Sequence, residues 1–99
     1  EVCHLTDDQI RTASKMVIEA GIGFVKSSTG QLQGPTIQQV CIIIEECKGT
    51  PTKCKVAGVK FPRPQNAAAF LKAGAERIGS QSCVEIIEGI QFMKEKGLL

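Results

Sequence analysis

The sequence contains no tryptophan and no tyrosine, and its only aromatic residues are four phenylalanines. A core built from it must be aliphatic, supplied by Ile, Val, Leu and Ala. Scarce aromatics also argue against a surface that stacks nucleic-acid bases. The formal net charge is only +2, too weak a field to imply a nucleic-acid partner or an anionic membrane. His4 is the single histidine, and neither H-E-x-x-H nor a Gly-rich dinucleotide or P-loop signature is present. The five cysteines, Cys3, Cys41, Cys47, Cys54 and Cys83, are odd in number and include no C-x-x-C pair. With one histidine beside them, they predict no metal site. They read as reduced thiols, mostly small core hydrophobes. Cys3 and His4 lack the context of a nucleophile–base pair. No run reaches the ~18 apolar residues of a membrane span, and no charged-then-apolar leader occurs. The chain therefore reads as cytoplasmic. It starts at Glu1 rather than Met, as expected of a fragment or a processed chain.

What the sequence does have is an alternation of helical and strand patterns. Thr6 and Gln9 form a T-x-x-Q capping box, and Asp7 and Asp8 suit the positive end of a helix dipole. Ile10, Ala13, Val17 and Ala20 recur at helical spacing up to Gly21, a natural stop. The apolar run Ile22 to Val25 ends at Lys26 and reads as a buried strand. A small-residue loop follows, to Gly34 and Pro35. Thr36 and Gln39 open a second helix with Ile37, Val40, Cys41, Ile44 and Cys47 as its apolar face, ended by Gly49 and Pro51. Residues 53–57 predict a second strand. Pro62 and Pro64 introduce a third helix, with Ala67, Ala68, Phe70 and Leu71 inside and Gly74 at its end. Residues 76–79 predict a third strand. Ser82 and Glu85 suggest a third capping box, opening a last helix that runs to about Lys96.

Strand centres near residues 24, 55 and 78 suit crossovers in a parallel sheet. Three strands cannot close a barrel, which needs eight units and roughly 250 residues. The chain also opens on a helix, with Val2 and Cys3 expected as the tail of a preceding strand. The expectation is therefore an α/β segment from the end of a longer barrel, with residues 1–99 forming one partial unit. Exposed sheet edges on such a segment favour association between copies.

Parallel sheets carry their chemistry at the C-terminal ends of the strands. Lys26 lies there, on one strand face with Ile22 and Phe24. A lysine closing an apolar run can be desolvated, which favours the neutral amine that attacks carbonyls. Lys55 is a second cation at a strand end, sharing a face with Lys53 and Ala57. Gly30, Gly58 and Gly79 each follow or end a strand, and Ser80 and Ser82 accompany the last. Exposed backbone N–H groups and a helix N-terminus near Ser82 could hold a phosphate. Each lysine could equally be a solvated charge ending a strand, and Ser82 a simple helix cap.

Together these segments resemble one family. Phe24-Val25-Lys26-Ser27-Ser28-Thr29-Gly30 is similar to the F-[IV]-K-[TS]-S-T-G strand end of deoxyribose-phosphate aldolase. Lys55-Val56-Ala57-Gly58 is similar to its K-x-[AS]-G-G, and Ala73 to Ser80 to its A-G-A-x-R-[IL]-G-[TA]. Leu5-Thr6-Asp7 and the helix after it also resemble the family's segment before the lysine strand. The motifs occur in family order along nearly the whole chain. The resemblance implies a (β/α)8 TIM barrel, of which this chain is the C-terminal part, about strands six to eight. It implies a lyase needing no cofactor and no metal. The expected reaction is reversible cleavage of 2-deoxyribose 5-phosphate to acetaldehyde and glyceraldehyde 3-phosphate through a lysine Schiff base. The partner expected is thus a small phosphorylated sugar or aldehyde. Lys26 takes the place of the Schiff-base lysine and Lys55 of the second lysine. Gly30, Gly58, Gly79 and Ser82 fall where the family's loops hold phosphate. Departures are also visible. Val59 stands for a second glycine, Gln81 for a serine, and Gln31-Leu32-Gln33 is not the family's usual continuation of the lysine loop. The stretch Lys60 to Pro64 includes an inserted residue. A related lysine aldolase with another aldehyde, or a non-catalytic degenerate segment, fits these departures too.

Overall fold

The computed structural model describes residues 1–99. After a 3₁₀ turn at Val2–His4, the elements run α1 (Asp7–Glu19), β1 (Phe24–Lys26), α2 (Ile37–Cys47), β2 (Lys53–Ala57), α3 (Pro64–Ala73), β3 (Arg77–Gly79) and α4 (Cys83–Glu95). The expected strand tail at Val2 and Cys3 is therefore absent. Val2 still donates its N–H to Ser27 C=O at 3.0 Å, which ties the chain start to the end of β1.

Helix starts follow local chemistry. Both the Thr6/Gln9 and the Thr36/Gln39 capping boxes form, each side chain satisfying a backbone N–H of the other residue. Pro64 occupies the first turn of α3, where a missing N–H costs nothing. The expected Ser82/Glu85 box does not form. Ser82 is the residue before α4 but makes no side-chain capping bond. Its N–H donates to Ser80 Oγ instead, at 3.0 Å.

The three strands are parallel in the order β1-β2-β3, the sequential arrangement neighbouring strands take in a (β/α)8 barrel. Lys26 lies opposite Lys55, and Lys55 opposite Arg77. Alternate strand residues face opposite sides of the sheet. Val25, Cys54 and Val56 face the helices. There they join Ile10, Val40, Ile43, Phe70 and Ile86 in one buried cluster. Helices α3 and α4 approach closely because Gly89 meets Pro64, where a Cβ would lie 2.7 Å from the Pro64 ring.

The buried helix faces differ from the expected ones by a fraction of a turn. Ile10, Ser14, Val17 and Ile18 are the inward residues of α1, while Ala13 and Ala20 are exposed. Ser14 is tolerated inside because its hydroxyl bonds back to Ile10 C=O at 2.8 Å. Helix α2 contacts α1, the sheet and α3, so Ile42 and Ile43 are buried with Val40 and Cys47. Ile37 at its start and Leu71 in α3 remain exposed. Of the cysteines, Cys47 and Cys54 are buried, Cys3 and Cys41 half-buried and Cys83 exposed.

Candidate active site

The second face of the sheet carries Phe24 and Lys26 from β1, Lys53, Lys55 and Ala57 from β2, and Arg77 and Gly79 from β3. Lys26, Lys55 and Arg77 form one row across three strands, with neighbours about 4.8 Å apart at the backbone. No carboxylate pairs with any of them; the ion pairs of the chain are Arg11 with Glu45 and Glu46, on the helical side. Arg77 turns away from Lys55 and lies over the Phe24 ring, 4.6 Å from its centroid. That stacking holds the guanidinium below the lysine pair. The Lys55 side chain crosses β3 at Gly79, where an added Cβ would stand 3.4 Å from Lys55 Cε.

Above this row a cleft of about 450 Å³ opens at the C-terminal ends of the strands. All six residues singled out from the sequence, Lys26, Lys55, Gly30, Gly58, Gly79 and Ser82, line it. The reading of Lys26 as desolvated by its strand does not hold in this chain. Val25 is buried against the helices, but Lys26 points to the opposite, open face and is exposed. Only a further layer over that face would bury it.

Thr29, Lys60 and Ser80 also line the cleft. With Lys26, Lys55 and Lys60 present and no acidic residue in the lining, its field favours an anion. Ser80 ties two loops together, donating to Val59 C=O at 2.6 Å and accepting from Ser82 N–H. The Ser82 hydroxyl is thereby left free beside the N-terminus of α4 and the cleft.

Two features had no sequence signal. Glu1 lies 28 residues before Thr29, yet its Oε2 accepts the Thr29 N–H at 2.8 Å. The hydrogen bonds from Thr29 hold the Glu1 carboxyl below its ordinary range. Ser27 and Ser28 were legible only as small residues after a strand. They prove to be buried and bonded to Ala57 on the next strand. At the other end of the sheet, burial pushes the Cys54 thiol up to about 12, and Cys47 is raised in the same direction. No helix is long and apolar enough to cross a membrane.

No family model matches the chain. It is similar to the deoxyribose-phosphate aldolases of Deinococcus radiodurans, 36% identical over 90% of this chain and 40% of that protein, and of Aquifex aeolicus, 36% over 95% and 42%. The solved aldolase QR15 superposes over the whole chain and 43% of its own length, with TM-score 0.76 and 34% identity. The chain thus spans about two fifths of the length of the curated relatives it matches. In sequence and in fold, this α/β chain is a relative of the deoxyribose-phosphate aldolases over that part of their length.

Proposed function

We propose that this chain is the lysine-bearing part of a Schiff-base aldolase acting on 2-deoxyribose 5-phosphate. The observation that carries the reading is the pairing of Lys26 and Lys55 in register at the mouth of an anion-favouring cleft, in a chain related to that family. The Lys26 amine adds to the substrate carbonyl and water leaves, giving an iminium. That cation draws in the electron pair of the breaking C–C bond. As the substrate hydroxyl at the breaking bond loses its proton, glyceraldehyde 3-phosphate departs and an enamine remains on Lys26. A proton added to the enamine carbon restores the iminium, which water hydrolyses to release acetaldehyde and return the amine. Lys55, opposite Lys26 on the next strand, takes the place of the second lysine beside the reacting carbonyl. Gly30, Gly58, Gly79 and the unused Ser82 hydroxyl take the phosphate.

The groups that shuttle protons at the substrate hydroxyl are not among the cleft residues of this chain. The open sheet face is where the rest of a (β/α)8 barrel would supply them. Residues 1–99 alone should therefore form adducts weakly and turn over nothing. Exposed Val84, Ile87 and Phe92 on α4 favour association of such a segment, in a cytoplasmic setting. The exposure of Lys26 favours one rival, a segment that associates without catalysing. Acetaldehyde release from 2-deoxyribose 5-phosphate, followed by coupled reduction, separates them when the chain is joined to the first five strands of a relative. Activity that disappears in Lys26→Arg is expected. Activity that survives Lys26→Arg, or no activity in the joined protein, contradicts the aldolase reading.

A further inference from the structure

The last backbone bond between β1 and β2 runs from Ser27 N–H to Lys55 C=O, at 3.0 Å. Beyond it β1 turns into its loop, while Ala57 is still buried and its N–H and C=O still need partners. Two side chains supply them. Ser27 Oγ accepts the Ala57 N–H at 3.1 Å. Ser28 Oγ donates to the Ala57 C=O at 2.8 Å. The hydroxyls lie 3.2 Å apart. With the Ser28 proton used on Ala57, the Ser27 hydroxyl has two acceptors within reach, Ser28 Oγ at 3.2 Å and the Ala57 C=O at 3.5 Å, so every group of the ring has a partner. Ser27 is 0% and Ser28 4% exposed, so neither reaches the cleft.

Ala57 and Gly58, which the ring holds, do line the cleft. Gly58 turns the chain there with φ +84°. The β1 loop then returns at Gly34 and lies backbone to backbone on Gly58. A Cβ on Gly34 would stand 2.5 Å from Gly58 C=O, and one on Gly58 would stand 3.3 Å from Ser28 Oγ. The wall carrying Lys26 and Gly30 and the wall carrying Gly58 are thus one clamped unit.

We propose that Ser27 and Ser28 are positioning residues that fix the distance from the Lys26 amine to the Gly58 wall, and so select aldehydes with a phosphate at the matching distance. This rests on the aldolase reading above. The probes are 2-deoxyribose 5-phosphate and acetaldehyde, each trapped on the full chain with borohydride. Ser27→Ala and Ser28→Ala should lower the ratio of phosphorylated to unphosphorylated adduct about five- to tenfold, since small misplacements weigh heavily on oriented reactions. Ser27→Thr keeps the hydroxyl and should keep the ratio within about twofold. General loosening of the fold would lower both adducts together and leave the ratio unchanged. If the alanine variants do not fold, Gly34→Ala, which displaces the Gly58 wall without touching either hydroxyl, should lower the ratio alike. An unchanged ratio overturns the proposal. If the native chain forms no adduct at Lys26, the aldolase reading fails. The clamp is then judged by amide shifts of Gly58, Gly79 and Ser82 on adding inorganic phosphate. Shifts present in the native chain and in Ser27→Thr but weakened in the alanine variants uphold it. Shifts that are absent, or equal in all, overturn it.

Discussion

The two faces of the three-stranded sheet are made from the same short strands and could hardly differ more. One face, Val25, Cys54 and Val56, is sealed under helices and joins a single aliphatic cluster. The other, Lys26, Lys53, Lys55 and Arg77, holds four cations with no acidic partner in the chain. A parallel sheet is normally covered on both sides. The covered face explains why the segment folds as it does, and the open face is where its candidate site residues are concentrated. Strand alternation separates the two tasks within five residues of β2, where Cys54 and Val56 are buried while Lys53 is exposed and Lys55 lines the cleft.

The sharpest way to break this contrast is to exchange the burdens of the faces. Ile43→Ala removes a fully buried side chain beneath the sheet and should cost about 2–5 kcal/mol. Lys53→Ala on the open face should stay within about 0.5 kcal/mol. Urea titrations of both variants check this, and equal losses would mean that the open face also bears stability. Lys26→Arg should show the reverse pattern, with an unaltered unfolding midpoint but adduct formation reduced to background in the borohydride assay.

Smaller effects test how each region is held. The Thr29 N–H lowers the proton affinity of the folded Glu1 carboxylate. Its stabilising effect is therefore present above the ordinary carboxylate range and lost as pH falls through the lower folded value. Glu1→Gln should lower the protection of the Thr29 amide against hydrogen exchange at neutral pH, and its protection in the native chain, relative to the free-amide rate at each pH, should fall as the solution is acidified below that range. An amide indifferent to both changes would show that the carboxylate does not hold the loop. The smallest effect concerns the thiols. With Cys54 pushed up to about 12 and buried, iodoacetamide at pH 8 should label exposed Cys83 well before Cys54. Equal labelling would mean the helical face opens readily.

Much of this contrast was legible in the residues. Two T-x-x-Q boxes and Pro64 announced helix starts, because those signals act over four residues or fewer, and the strand spacing announced the parallel order, because it leaves room for a crossover helix between strands. That Lys26, Lys55 and the three glycines gather at one sheet end was readable as well, since each ends or follows a strand of a parallel sheet. Four things were not readable. The inward face of α2 depends on its contacts with α1, the sheet and α3, which a single helical period does not encode. The burial of Lys26 was inferred from Ile22 to Val25, but in a strand the next residue points to the other side, so an apolar run covers only every second position. Ser82 matched a cap by spacing, yet Ser80 Oγ took its N–H and the cap geometry did not form. The Ser27–Ser28–Ala57 ring joins residues 29 and 30 apart and leaves no local signal at all.

The central claim is that one lysine of the open face is the nucleophile, and its cationic neighbours are not. Acetaldehyde and borohydride added together to the native chain, followed by proteolysis and mass spectrometry, test it directly. A secondary-amine adduct on the peptide carrying Lys26, with Lys53, Lys55 and Lys60 unmodified, is the result expected. An adduct on Lys53 or Lys55 with Lys26 unmodified, or equal labelling of all four, would contradict it.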